Sequence, residues 1–184
     1  ASVSEPNAQQ AHRPLTQYLV DAWDSDNGLP HNKVQALTQG PDGLLWIGTE
    51  GGVARFDGVR VMPFEPPEAP QLARTLATAL YTSPDGAVWI GSEGFVHRYQ
   101  SGRLTTFTVP DEQRPFVRAI RQASDGTIWI GAGGMLCRLA RGKVELVTTV
   151  DGRIHEILPE PDGSLLLAAA GFVLRFRDGG TEIV

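Results

Sequence analysis

The chain has 184 residues, 41% of them hydrophobic, and its 21 glycines and 13 prolines suit a globular fold with many tight turns. A formal net charge of −5 excludes a nucleic-acid surface, because neutralising phosphates takes a basic face. No apolar run reaches the roughly 18 residues that a membrane helix needs, and the one cysteine, Cys137, has no partner for an internal disulfide.

Residues 1–17 are polar and aperiodic and read as a tail outside the fold; with no cationic start and no apolar centre, they do not form a signal peptide. Residues 18–23, Tyr18 to Trp23, alternate like a strand, and a turn-rich connection follows from Asn27 to Lys33. Val34 to Thr38 is the next expected strand. Pro41-Asp42-Gly43 closes a hairpin into the short apolar run Leu44 to Ile47. A glycine-rich turn over 48–52 leads to Val53–Phe56, and Asp57-Gly58 turns again into Val59–Phe64. Four strands in about 40 residues match one blade of a β-propeller.

The rest of the chain copies this unit. PDGLLWIGTEGGVARFDG from Pro41 returns as PDGAVWIGSEGFVHRYQSG from Pro84, as SDGTIWIGAGGMLCRLARG from Ser124, and more weakly as PDGSLLLAAAGFVLRFRDG from Pro161. Asp42, Asp85, Asp125 and Asp162 stand 43, 40 and 37 residues apart. Each lies four residues before Trp46, Trp89, Trp129 or Leu166, and thirteen before Arg55, Arg98, Arg138 or Arg175. The repeat predicts an all-β propeller of about four four-stranded antiparallel blades, over residues 34–66, 77–109, 116–150 and 153–184. Residues 71–80 have helical propensity, yet the repeat register puts Ala77 to Tyr81 in the innermost strand of the second blade. The strand at 18–23 is a fifth outer strand for four blades, so the chain is expected to be an N-terminal part of a larger propeller.

Spaced once per repeat in a middle strand, the tryptophans are expected to be buried between blades rather than to stack on sugars. The aspartates and arginines are expected to make turn bonds or ion pairs within the scaffold. Cys137 takes the repeat position of Ala54, His97 and Leu174, and reads as a small buried hydrophobe.

From Trp23 to Gly58 the sequence resembles the two-component regulator propeller repeats of bacterial sensor proteins. The residues that carry this are Trp23, Asn27-Gly28-Leu29-Pro30, Asn32, Val34, Asp42 through Gly52, and Arg55-Phe56-Asp57-Gly58. The resemblance weakens through the later blades and is poorest in the fourth, where Leu166 and Ala168 replace Trp and Gly. It implies a periplasmic sensor module, joined through parts absent from this chain to a membrane helix and a histidine kinase or diguanylate cyclase.

No catalytic constellation, cofactor motif or metal-ligand spacing occurs. His12, His31, His97 and His155 fall at unrelated positions, and the glycine-rich turn at 48–52 lacks the Lys-Ser/Thr of a phosphate loop. Function is therefore expected where the repeats differ, in the connections over 27–33, 65–75, 110–116 and 151–153 and the turns at Glu50, Glu93 and Gly133. The candidate ligand-binding residues are Asn32, Lys33, Glu50, Arg74, Glu93, Arg114, Phe116 and Arg153, suited to a small anionic or saccharide ligand. The leading expectation is a non-enzymatic sensory propeller that self-associates through exposed blade edges. The alternatives are a propeller lyase, which would need a base such as His31 or His155, and a pure assembly module.

Overall fold

The computed structural model describes residues 21–184, without the side chains of Gln71 and Ala73. It contains four sheets of four antiparallel strands, each a simple meander. The first blade is β1 (Val34–Gln39), β2 (Leu45–Thr49), β3 (Gly52–Phe56) and β4 (Val61–Pro63). The second is β5 (Ala79–Thr82), β6 (Val88–Gly91), β7 (Phe95–Gln100) and β8 (Arg103–Thr108). The third is β9 (Val117–Gln122), β10 (Ile128–Ala132), β11 (Met135–Ala140) and β12 (Lys143–Thr149). The fourth is β13 (Ile154–Pro159), β14 (Leu165–Ala169), β15 (Phe172–Arg177) and β16 (Gly180–Ile183). The first strands lie innermost: β1 meets β5, β5 meets β9, and β9 meets β13.

Each blade turns at its Asp-Gly by one device. The aspartate Oδ1 accepts from the backbone N–H two residues on: Leu44 onto Asp42, Ala87 onto Asp85, Thr127 onto Asp125 and Ser164 onto Asp162. The glycine that follows sits at φ between +80° and +88° in all four turns, a conformation open to glycine at no steric cost. The expected ion pair at the thirteen-residue offset forms in the second blade alone, where Arg98 reaches Asp85 at 2.7 Å. Arg138 instead pairs with Glu145, and Arg175 with Glu160. What the arginines share is their place directly across the ladder from Trp46, Trp89, Trp129 and Leu166. Arg55 and Arg98 lie over the faces of Trp46 and Trp89 at 5.7 and 5.6 Å.

The core consists of three apolar clusters, one at each seam between consecutive blades. Trp46 and Trp89 are buried and Trp129 is half-buried, all at the same position of the second strand. Each lies against the next blade: Trp46 packs on Tyr99, Trp89 shares a cluster with Leu139, and Trp129 packs on Phe176. The glycine two residues after each tryptophan lets the next inner strand come close. A Cβ on Gly91 would stand 2.8 Å from the Val117 carbonyl oxygen. Backbone bonds lock the same approach, from Ala77 N–H to Thr49, Val117 to Ser92 and Ile154 to Gly133.

Three local expectations change. Of the outer strand placed at 18–23, residues 18–20 lie outside the described residues and 21–23 carry no strand. Trp23 packs instead on Phe56 with ring centroids 4.6 Å apart, the residue of β3 that corresponds to Tyr99 and Phe176. The fourth strand of the first blade is shorter than 59–64, because Asp57 accepts from the N–H groups of Val59 and Arg60 and draws them into the turn. The helical propensity near 71–80 yields one 3₁₀ turn, Pro70–Ala73, which buries Leu72 in the first seam. Cys137 is buried, and burial raises its thiol pKa to about 11.

Substituting Gly91→Ala should destabilise the chain by about 1–3 kcal/mol, read as a lower urea midpoint with unchanged slope, since a backbone oxygen cannot yield the space. The equivalent Ala168 is exposed, and Ala168→Gly should change the midpoint little. Asp85→Ala should cost about 1 kcal/mol more than Asp42→Ala, because Asp85 also accepts from Ser83 and Arg98. Equal losses in the two variants would assign the whole effect to the shared turn bond.

Candidate functional site

The sequence-derived candidates form two groups and two isolated residues. Asn32, Lys33 and Glu50 meet at the entrance to the first blade, where they hold the connection together. Lys33 pairs with Glu50 at 3.3 Å, the Asn32 side-chain oxygen accepts from Ser25 N–H at 2.6 Å, and Glu50 N–H donates to the Lys33 carbonyl. Glu93, Arg114 and Phe116 come together beside the second blade. Phe116 is half-buried and bridges to Glu93 through the backbone, while Glu93 and Arg114 line one cavity. Arg74 and Arg153 are exposed, the first after the 3₁₀ turn and the second just before β13, and join neither group.

A different set of residues lines the space between the inner strands. Gln35, Ala36 and Leu37 of β1, Thr78, Ala79 and Leu80 at β5, Arg118 and Arg121 of β9, and His155 and Glu156 of β13 enclose a cavity of about 320 Å³. Its charged side chains come from β9 and β13. In β9, Val117, Ala119 and Ile120 are buried, while Arg118 and Arg121 are half-buried and line the cavity. Arg121 pairs with Glu156 at 2.8 Å, donates to the Ile120 carbonyl, and stacks over Tyr81 at 5.6 Å. These contacts fix its guanidinium against the wall. Arg118 makes no ion pair among the described residues, so the cavity has one cation in excess.

Reading the connections alone missed this set, because the cavity is walled by strands. The available signal was two arginines inside an otherwise apolar inner strand, VRAIRQ, where the other inner strands carry neutral side chains or His155-Glu156. Among the described residues no group of three or more His, Cys, Asp and Glu comes together as a metal site. No helix among them is long and apolar enough to cross a membrane.

Residues 28–51 match the family described as two component regulator propeller. No curated protein matches the chain. Among solved structures, the extracellular domain of BT4673 from B. thetaiotaomicron is 16% identical with a TM-score of 0.69, over 84% of this chain and 23% of that one. The extracellular domain of the hybrid two component system BT3049 from the same organism is 21% identical with a TM-score of 0.62, over 83% and 23%. Virginiamycin B lyase from Staphylococcus aureus, solved with Quinupristin, is 19% identical with a TM-score of 0.68, over 84% and 57%. The chain therefore spans about a quarter of the length of those extracellular domains. At these identities the likeness shows a shared propeller fold. With the match over residues 28–51, the first of its four blades carries a repeat of the two component regulator propeller family.

Proposed function

We propose that this chain is the sensory part of a membrane-anchored bacterial signalling protein, placed outside the cytoplasm, and that it binds a small anionic ligand such as a sugar acid in the cavity between the inner strands. The observation that carries this is Arg118, a half-buried cation without an ion-pair partner among the described residues, on a wall where Arg121 is already held by Glu156. A carboxylate placed there would gain a charge-assisted hydrogen bond in a partly desolvated space, and Thr78, Gln35 and His155 offer partners for sugar hydroxyls. The placement outside the cytoplasm rests on the likeness to extracellular domains of sensor proteins, together with the family repeat in the first blade. The lyase reading draws on a likeness that shows the fold alone.

Self-association belongs to the same reading. Val173 is 45% exposed, whereas Val53, Val96 and Leu136 at its position in the other blades are fully buried under the next blade. Covering this face with a second copy would remove apolar surface from water.

Calorimetric titration with D-galacturonate should give a measurable affinity that exceeds that for D-galactose. Arg118→Gln should weaken the acid by about 10–100-fold while leaving the unfolding midpoint in place. Equal binding of acid and neutral sugar, or an affinity indifferent to Arg118→Gln, would sink the anionic-ligand reading. For the assembly surface, sedimentation should show a concentration-dependent dimer that Val173→Glu abolishes; a monomer at every concentration would refute it.

A further inference from the structure

The second blade departs from the repeat at three positions that share one cavity. Ser92 corresponds to Thr49, Ala132 and Ala169; His97 to Ala54, Cys137 and Leu174; Thr106 faces His97 across the ladder as Pro63, Leu146 and Ile183 face their partners. Only here are all three polar. They form a chain in which Ser92 Oγ meets His97 Nε2 at 3.2 Å and His97 Nδ1 meets Thr106 Oγ1 at 2.9 Å. Ser92 and His97 are 1% and 3% exposed, so a polar network occupies ground that the other blades fill with apolar or small residues.

This chain lines a cavity of about 240 Å³, together with Leu72, Thr75, Phe95, Glu93 and Arg114. Burial lowers the His97 pKa to about 4, so its ring is neutral at pH 7 and the cavity floor is uncharged. Ser92 and Thr106 hydroxyls retain acceptor capacity beyond their bonds to the ring. The charges are at the mouth, one of each sign, and neither Glu93 nor Arg114 makes an ion pair among the described residues. Arg114 is nonetheless held in place. Its backbone is left-handed at φ +47°, with its N–H donating to the Asp111 carbonyl, and its guanidinium lies over Phe95 at 5.6 Å. Gly94 makes room for it, since a Cβ there would stand 2.7 Å from the Arg114 Cβ.

We propose that this cavity of the second blade is a binding site for a small zwitterion, a free α-amino acid with a polar side chain, whose carboxylate meets Arg114 and whose ammonium meets Glu93. The side chain then enters the uncharged polar floor formed by Ser92, His97 and Thr106. A ligand with one charge of each sign satisfies both mouth groups, whereas a simple anion or a neutral saccharide leaves Glu93 unpaired. The site is separate from the cavity between the inner strands and does not depend on it.

Titrating the chain with L-glutamine, its N-acetyl derivative and its methyl ester, followed by calorimetry, tests the assignment. L-Glutamine should bind at least about tenfold more tightly than either blocked form. Arg114→Gln should erase the discrimination against the ester, and Glu93→Gln the discrimination against the N-acetyl derivative, each leaving the other preference intact. A variant that merely loosened the fold would weaken all three ligands together. Thr106→Val should weaken L-glutamine more than L-leucine. Failure of L-glutamine to bind, equal binding of the blocked forms, or preferences unchanged in the two charge variants would overturn the proposal. Loss of L-glutamine binding in Arg118→Gln would move the ligand to the other cavity and overturn this site as well.

Discussion

Everything in this structure depends on how one blade seats on the next. No single blade can bury its own middle strands, which are apolar on both faces, so each cluster of the core is shared between neighbours. The seat has two complementary parts. A large ring on the second strand fills the seam, as Trp46 does against Tyr99, and a glycine beside it lets the incoming inner strand reach hydrogen-bonding distance. Bulk and the absence of bulk, two residues apart, set the spacing between blades. Where no further blade is described the pattern lapses: Ala168 replaces the glycine, Leu166 replaces the tryptophan, and Val173 lies open.

Within a blade the repeated residues serve the strand geometry. The Asp-Gly pair sets the turn through a short side-chain-to-backbone bond that requires nothing beyond two residues, which explains why it is intact in all four copies. The arginine's carboxylate partner varies, because exposed ion pairs contribute little and many nearby acids serve equally. Its position across from the tryptophan does not vary. In the first blade the Arg55 guanidinium lies over both Trp46 and Phe64 and makes no ion pair among the described residues.

A scaffold built from copies makes departures from the copy informative. Two departures gather polar groups around a space. Arg118 and Arg121 break an apolar inner strand and meet His155 and Glu156 across the cavity. Ser92, His97 and Thr106 break the second blade's packing and meet Glu93 and Arg114 at its edge. Other departures, such as Arg74 and Arg153, remain isolated in solvent. A polar residue that departs from the repeat is thus informative when its neighbours depart with it.

The blade was legible in the residues alone. Turn chemistry, strand alternation and the offset between Asp and Trp are local or periodic, so the four sheets and their order were legible from Pro41 onward. Local reading also placed Glu93 and Arg114 among the candidates. What faces what depends on how the strands assemble. His97 lies next to Ser92 and Thr106 because strands pair in a particular register, and Arg121 reaches Glu156, 35 residues later, because two inner strands lie side by side. Tertiary structure also reassigned Trp23, whose alternating surroundings read as a strand but whose exposed ring packs on Phe56. Such pairings depend on distances between separate blades, and a pattern that repeats within each blade carries no information about the space between them.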